Sequence, residues 1–275
     1  MAAPSTLTNR NALLAHRARA AIRPETFLHD IVADELNERL LEVNKTFTAP
    51  AVIGPMDGLL PEAHHVLDDD RLALQPAAHD LIIDGMSLHW ANDPVGQIVQ
   101  SRLALKPDGL YLAALFGGQT LHELRTALAE AESALRGGLS PRVAPMADIR
   151  DLGQLLSRAG LALTVADSTT IRTSYQSLKD LVRDLRGMGE TNALFARDTT
   201  IPPRALFDLT ESIYREHFSE EGRLVATWEI VFLTGWAPDD SQPKPLRPGS
   251  ATHRLSDALG VPELPSGDKT DPKPS

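Results

Sequence analysis

The chain has 275 residues, 42% of them hydrophobic, and 27 Lys and Arg stand against 37 Asp and Glu, for a formal net charge of −10. That much apolar material excludes a disordered protein, and the negative field argues against a nucleic-acid partner. No cysteine is present, which removes disulfides, thiolate zinc sites and a cysteine nucleophile, and no apolar run approaches the roughly 18 to 20 residues that span a bilayer.

The N-terminus lacks the apolar core of a secretory signal, so the sequence reads as an unsecreted, cytoplasmic protein. Arg10, Arg17, Arg19 and Arg23 come with no acid in the first 24 residues, a bias shared with mitochondrial transit peptides, and the mitochondrial matrix is the alternative location. Because "NRNALLAHRARAAI" runs into the next helix without a cleavage-like linker, residues 1–24 read as a basic N-terminal helix or arm. "ETFLHDIVADELNERLLEV" sets Phe27, Leu28, Ile31, Val32, Leu36, Leu40 and Leu41 at helical spacing, predicting one apolar face. "APAVIG" predicts a short strand ending at Gly54, "HHVL" (64–67) is a weaker strand candidate, and "HDLIIDG" (79–85) has the continuous apolar run of a strand covered on both faces.

Pro94 opens a helix in which Val95, Ile98, Val99 and Leu103 point to one side, "KPDG" (106–109) turns the chain, and "LYLAALF" is a second buried strand. Strand, helix, turn and strand make the βαβ unit of a parallel sheet. Helices are predicted over 120–135, 146–160, 177–189 and 203–218, a strand over "LALTVADSTTIRTSY", and a long final strand over 224–237. The domain proper is 25–237. Eight of the 20 prolines lie from Pro238 onward, so 238–275 reads as a Pro-rich arm and tail.

The stretches "DGMSLHWANDP" (84–94), "LKPDGLYLAALFGGQTLHELR" (105–125), "GGLSPRVAPMADIRDLGQLLSRAG" (137–160), "DLRGMGETNAL" (184–194) and "LTGWAPDDSQPKPLRPGSA" (233–251) resemble the class I S-adenosylmethionine-dependent methyltransferases. More narrowly they look like the branch of the mitochondrial complex I assembly factor of arginine-hydroxylase type and its bacterial homologues, related to the malonyl-carrier-protein O-methyltransferases. The resemblance implies a Rossmann-like α/β fold, a mostly parallel sheet with an antiparallel last strand, preceded by N-terminal helices. It implies S-adenosyl-L-methionine as cofactor and, for the assembly-factor type, a protein partner such as a respiratory complex I subunit.

In such folds the methionine part of the cofactor lies over a glycine-rich turn after the first strand, a carboxylate ending the second strand grips the ribose, and an acid after the third meets the adenine. Gly54 and Gly58 match the outer glycines of that turn, but Pro55 and Met56 depart from it and Asp57 adds an anionic group. "HHVLDDDRLAL" matches the third strand and its acidic turn, with Asp68 in the adenine position. The first helix, the second strand with its ribose carboxylate and the second helix are then absent, and the fold is truncated in its nucleotide-binding half. With only "LLPEA" between Gly58 and His64, residues 64–67 are expected to pair antiparallel, to pair elsewhere or to lie as a loop.

The reduced cleft would be lined by Gly54, Gly58, Asp68, Asp84, His89 and Trp90, with His89 the candidate catalytic base beside the carboxyl end of a central strand. No metal site is expected, since adjacent strand residues His64 and His65 point to opposite faces. Arg125, Arg136, Arg142, Arg183 and Arg186 are candidates to clamp an acidic partner or are merely solvated. The leading expectation is a methyltransferase-fold assembly or interaction protein, a pseudoenzyme with a degenerate cofactor site. The alternative is an active methyltransferase or arginine hydroxylase using the reduced cleft.

Overall fold

A computed structural model describes residues 6–56 and 58–243. Asp57 and most of the predicted Pro-rich arm and tail therefore lie outside the described residues. Seven strands form one sheet, in the order β2 (His64–Val66), β1 (Pro50–Ile53), β3 (His79–Gly85), β4 (Leu105–Phe116), β7 (Arg223–Trp236) and β5 (Ala162–Tyr175), with β6 (Ser219–Glu220) paired to β7. The pairings β2–β1, β1–β3 and β3–β4 are parallel, and β7 runs antiparallel to both of its long neighbours. This is the expected Rossmann-like sheet with its reversed last strand.

The period of two along each strand sends alternate side chains to two separate cores. Val52, Ile83, Leu112 and Trp228 face α2 (Phe27–Glu42), α4 (His122–Arg136), α6 (Leu178–Met188) and α7 (Arg204–Phe218). Ile53, Ile82, Tyr111 and Val231 face α3 (Pro94–Ala104) and α5 (Ile149–Arg158). Helix starts follow local chemistry: Asp93 accepts from the Gly96 N–H at 2.8 Å ahead of Pro94, and Asp148 and Ser177 cap α5 and α6 in the same way. α1 (Arg10–Ala20) is capped by Asn9.

The structure narrows two predicted apolar faces. α2 buries Leu28, Val32 and Leu36, while Leu41 is 85% exposed, because a straight helix offers the flat sheet a narrow stripe. On α3 the buried side is Gln97, Ile98, Ser101 and Ala104, and Leu103 faces out. "KPDG" is a turn set inside β4: Leu105 pairs with His79 and Leu110 with Leu81, so residues 106–109 bulge from the ladder, with Asp108 at φ 57°. The hairpin joining β6 to β7 was not visible in the sequence, and both its turn residues, Glu221 and Gly222, have positive φ.

The expectation for residues 64–67 is overturned. β2 pairs in parallel with β1, in the register Ala51 with His64 and Ile53 with Val66. The connection runs from residue 54 to 63, and no helix is found among its described residues. A parallel crossover normally needs a helix to travel back along its strands. These strands are so short that the return path is only about 7 Å along and 5 Å across, while ten residues can reach roughly 33 Å.

Gly54 makes this turn possible. Its φ is +94°, and a Cβ there would stand 2.7 Å from Ser87 Cβ and 2.8 Å from the Gly85 carbonyl oxygen. Gly58 meets nothing within 4 Å. Gly54→Ala is expected to cost about 2 to 4 kcal/mol in urea unfolding, and Gly58→Ala to change stability by less than about 0.5 kcal/mol. Equal effects would show that the turn is not tight at Gly54.

Candidate functional site

β1, β2 and β3 all end on the same edge of the sheet, and the predicted site residues collect there. Asp84 is the penultimate residue of β3, and a single 3₁₀ turn, Leu88–Trp90, follows it. Ser87 Oγ donates to Asp84 Oδ1 at 2.6 Å, while Asp84 Oδ2 is buried with no partner. Burial pushes the Asp84 carboxyl up to about 7, the Ser87 hydroxyl opposing and the nearby Asp68 charge adding to the rise.

Asp68 follows β2, which lies directly beside β1. It therefore stands at the end of the strand next to β1. Its side chain is 3% exposed and is taken up by α1: Arg17 Nη1 lies 2.8 Å and Arg10 Nη2 3.1 Å from Oδ1, and Arg10 Nη1 donates to Oδ2 at 3.3 Å. Burial raises this carboxyl, but Arg17 and Arg10 outweigh it and hold Asp68 below the ordinary range. Residues 10 and 17 are two helical turns apart and so share one face, a spacing the sequence displayed without naming its partner.

α1 is fastened at its start as well. Asn92 Oδ1 accepts from the N–H groups of Leu7 and Thr8, at 3.0 and 2.8 Å, and Thr8 bridges to Leu194. Leu13, fully buried, packs with Trp90, Ala193 and Leu194.

His89 and Trp90 converge on one acceptor. His89 Nε2 lies 3.1 Å and Trp90 Nε1 2.7 Å from Glu190 Oε2, and all three groups are largely buried. Burial would raise Glu190, but His89 and the two hydrogen bonds leave it lowered. His89 Nδ1 is buried and unpartnered, and its ring packs against Phe116 at 4.9 Å. Glu190 was not singled out in the sequence, because its partners lie 100 residues away. His29 on α2 is a second miss: burial lowers it first, and Glu190 opposes.

Gly58 and Met56 line a cavity of about 470 Å³ with Arg17, His29, Leu59 and Met188. The structure thus brings Asp68, Asp84, His89 and Trp90 to one sheet edge, with Gly54 packed beneath Ser87 and Gly58 open to the cavity. Of the predicted clamp residues, Arg136 and Arg142 pair with Glu132 and Asp198, and Arg183 with Asp180. Among the described residues no group of three or more His, Cys, Asp or Glu could hold a metal ion, and His64 stacks on His79 at 5.8 Å. No helix among them is long and apolar enough to cross a membrane.

No family model matches the chain. It is 37% identical over 217 residues to "Arginine-hydroxylase NDUFAF5, mitochondrial" of Mus musculus, covering 76% of this chain and 61% of that protein. The Homo sapiens protein of the same name is 38% identical over 200 residues, covering 70% and 56%. A malonyl-acyl-carrier-protein O-methyltransferase of Xylella fastidiosa is 33% identical over 171 residues, covering 62% and 56%. A solved Bacillus halodurans protein described as a methyltransferase overlays with a TM-score of 0.48 at 10% identity, covering 74% of this chain and 99% of its own, too loose a likeness to bear on the site. These relatives place the chain among homologues of proteins named as arginine hydroxylases and as methyltransferases. More narrowly, the chain is a homologue of the NDUFAF5 arginine hydroxylases and, at lower identity, of the malonyl-acyl-carrier-protein methyltransferases. It spans 45 to 64% of the length of the curated relatives it matches.

The buried Asp84 carries a pH signature. Its carboxyl keeps its proton in the folded chain up to about pH 7, whereas the unfolded chain loses it near 3.8. Stability from this group is full below 3.8 and is lost as pH rises through 7. Asp84→Asn, which keeps the acceptor for Ser87, is expected to match wild type near pH 4 and to exceed it by roughly 2 to 4 kcal/mol at pH 8. A difference between the two proteins that does not vary with pH in chemical unfolding contradicts the assignment.

Proposed function

We propose that this chain is a methyltransferase-fold protein of the complex I assembly-factor type, in which the S-adenosylmethionine site has degenerated and the molecule works through its surface, as an assembly or interaction protein. The observation that carries this reading is the state of Asp68. The carboxylate standing where a ribose grip would be needed is spent on Arg10 and Arg17, and the described residues of the connection behind it hold no helix to wall a nucleoside.

A ribose that took Asp68 would have to break a buried ion pair, and removing one partner of such a pair costs about 3 to 5 kcal/mol. That equals roughly two to four decades in affinity. As arranged, the residues do not fit the nucleoside. The protein partner would be of the kind the assembly-factor resemblance implies, a respiratory complex I subunit. The mitochondrial location of the 37 to 38% identical relatives favours the matrix over the cytoplasm.

A second reading has one observation in its favour. Asp68 beside β1 and the unpartnered Asp84 Oδ2 leave two carboxyl groups at the strand ends, which an active methyltransferase or arginine hydroxylase could use if α1 moved aside. In that case Gly54, Gly58, Asp68, Asp84, His89 and Trp90 would line the cleft, and His89 would act as base.

Isothermal titration with S-adenosylmethionine and S-adenosylhomocysteine separates the two. The degenerate site is expected to show no saturable binding tighter than about 100 μM, near −5.5 kcal/mol. Saturable heat at lower concentrations, abolished by Asp68→Ala, supports the enzyme instead.

A further inference from the structure

A cavity of about 210 Å³, lined in part by Glu190, lies between α4, α6, the 142–146 connection and β7. We propose that it is a binding pocket for a neutral apolar small molecule, a ring or short hydrocarbon chain of roughly eight to ten carbon atoms.

The lining sets the chemistry. Trp90, Phe116 and Trp228 form one wall, with Phe116 and Trp228 rings 5.9 Å apart. Leu121, Leu124 and Leu128 of the α4 segment and Leu178, Val182 and Leu185 of α6 make the others. Most of the polar lining groups are already engaged by protein, Thr191 being the exception. Glu190 holds His89 and Trp90, and Arg142 is bound to Glu132. Asn192 donates to the Pro141 carbonyl and accepts from the Leu194 N–H, and Thr120 bonds Glu229 in both directions. A charged or strongly polar ligand would enter such a pocket at the cost of its own hydration, with only the Thr191 hydroxyl left to offset it.

Size follows from volume. An apolar cavity of about 150 Å³ stays dry and takes a six-carbon ring such as benzene, so 210 Å³ suits a ligand somewhat larger. The mouth is formed by Val143, Met146 and Val182, half-buried, and Phe207, 40% exposed, which gives a path from solvent. Pockets of this kind, apolar and opening at the carboxyl edge of an α/β sheet, are where small ligands bind. The pocket shares Trp90 with the candidate cleft but not Asp68, Asp84 or the Gly54 turn, so it stands whether or not a nucleoside binds at those residues.

The test uses naphthalene, a neutral ten-carbon probe, titrated into the full chain and read by thermal unfolding. The melting temperature is expected to rise saturably, and Val182→Trp, which fills the mouth, to weaken the probe at least ten-fold while the circular dichroism is unchanged. Val143→Phe serves as a second variant should Val182→Trp fail to fold. No saturable rise in wild type, or an equal rise in the folded variant, overturns the proposal. So does a phenylalanine-bearing peptide that saturates a Val182→Trp-sensitive site which naphthalene does not enter, since the occupant would then be a protein side chain.

Discussion

One buried carboxylate organises the nucleotide-facing edge of this molecule. Asp68, nearly sealed from water, is held by Arg10 and Arg17 from a helix more than fifty residues earlier. Desolvating three charges is costly, and only close, multiply bonded geometry offsets it. The arrangement therefore resists losing any one member. It also draws α1 across the strand ends, where Leu13 completes a small core with Trp90 and Asn92 ties down the residues ahead of the helix. The helix is thus fixed by charge at its first residue and in its last turn, and by hydrogen bonds to the backbone just ahead of it.

That clasp depends on where the sheet places β2. It pairs directly beside β1, and the short connection suffices because β1 and β2 span only four and three residues. Asp68 therefore leaves β2 at the end of the strand adjacent to β1, where Arg10 and Arg17 neutralise it. The glycine at position 54 is part of the same arrangement, since its positive φ lets the chain leave β1 sharply while Ser87 packs against it.

Much of the architecture was legible because it depends on periodicity. The continuous apolar runs at 81–83 and 110–116, the helical stripe of α4 and the long alternation of β5 each follow from local pattern, and the structure has them in place. What escaped were features set by distance. The pairing of β2 depended on the short span of its neighbour, a fact about three-dimensional reach and not about spacing. The junction of Glu190 with His89 and Trp90 joins positions about a hundred residues apart, and nothing in "RGMGETN" marks its glutamate as a buried acceptor. Arg10 and Arg17 were noticed as basic residues, and their shared helical face is visible, but the acid they meet is not. Leu41 and Leu103 err the other way: their spacing suits a buried face, and the flat contact with the sheet leaves them outside.

The described residues thus hold two features of opposite character, a charged edge whose carboxylate is already claimed and a largely apolar cavity lined in part by Glu190. The account turns on the first of these. Its most direct measurement is a carbon-13 NMR titration of the Asp68 carboxyl, with and without millimolar S-adenosylmethionine. The account predicts a midpoint below 3.8, the ordinary value, and a resonance that does not move when the nucleoside is added. A midpoint at the ordinary value, or a saturable shift on adding the nucleoside, would show that the carboxylate is free to grip a ribose and would contradict it.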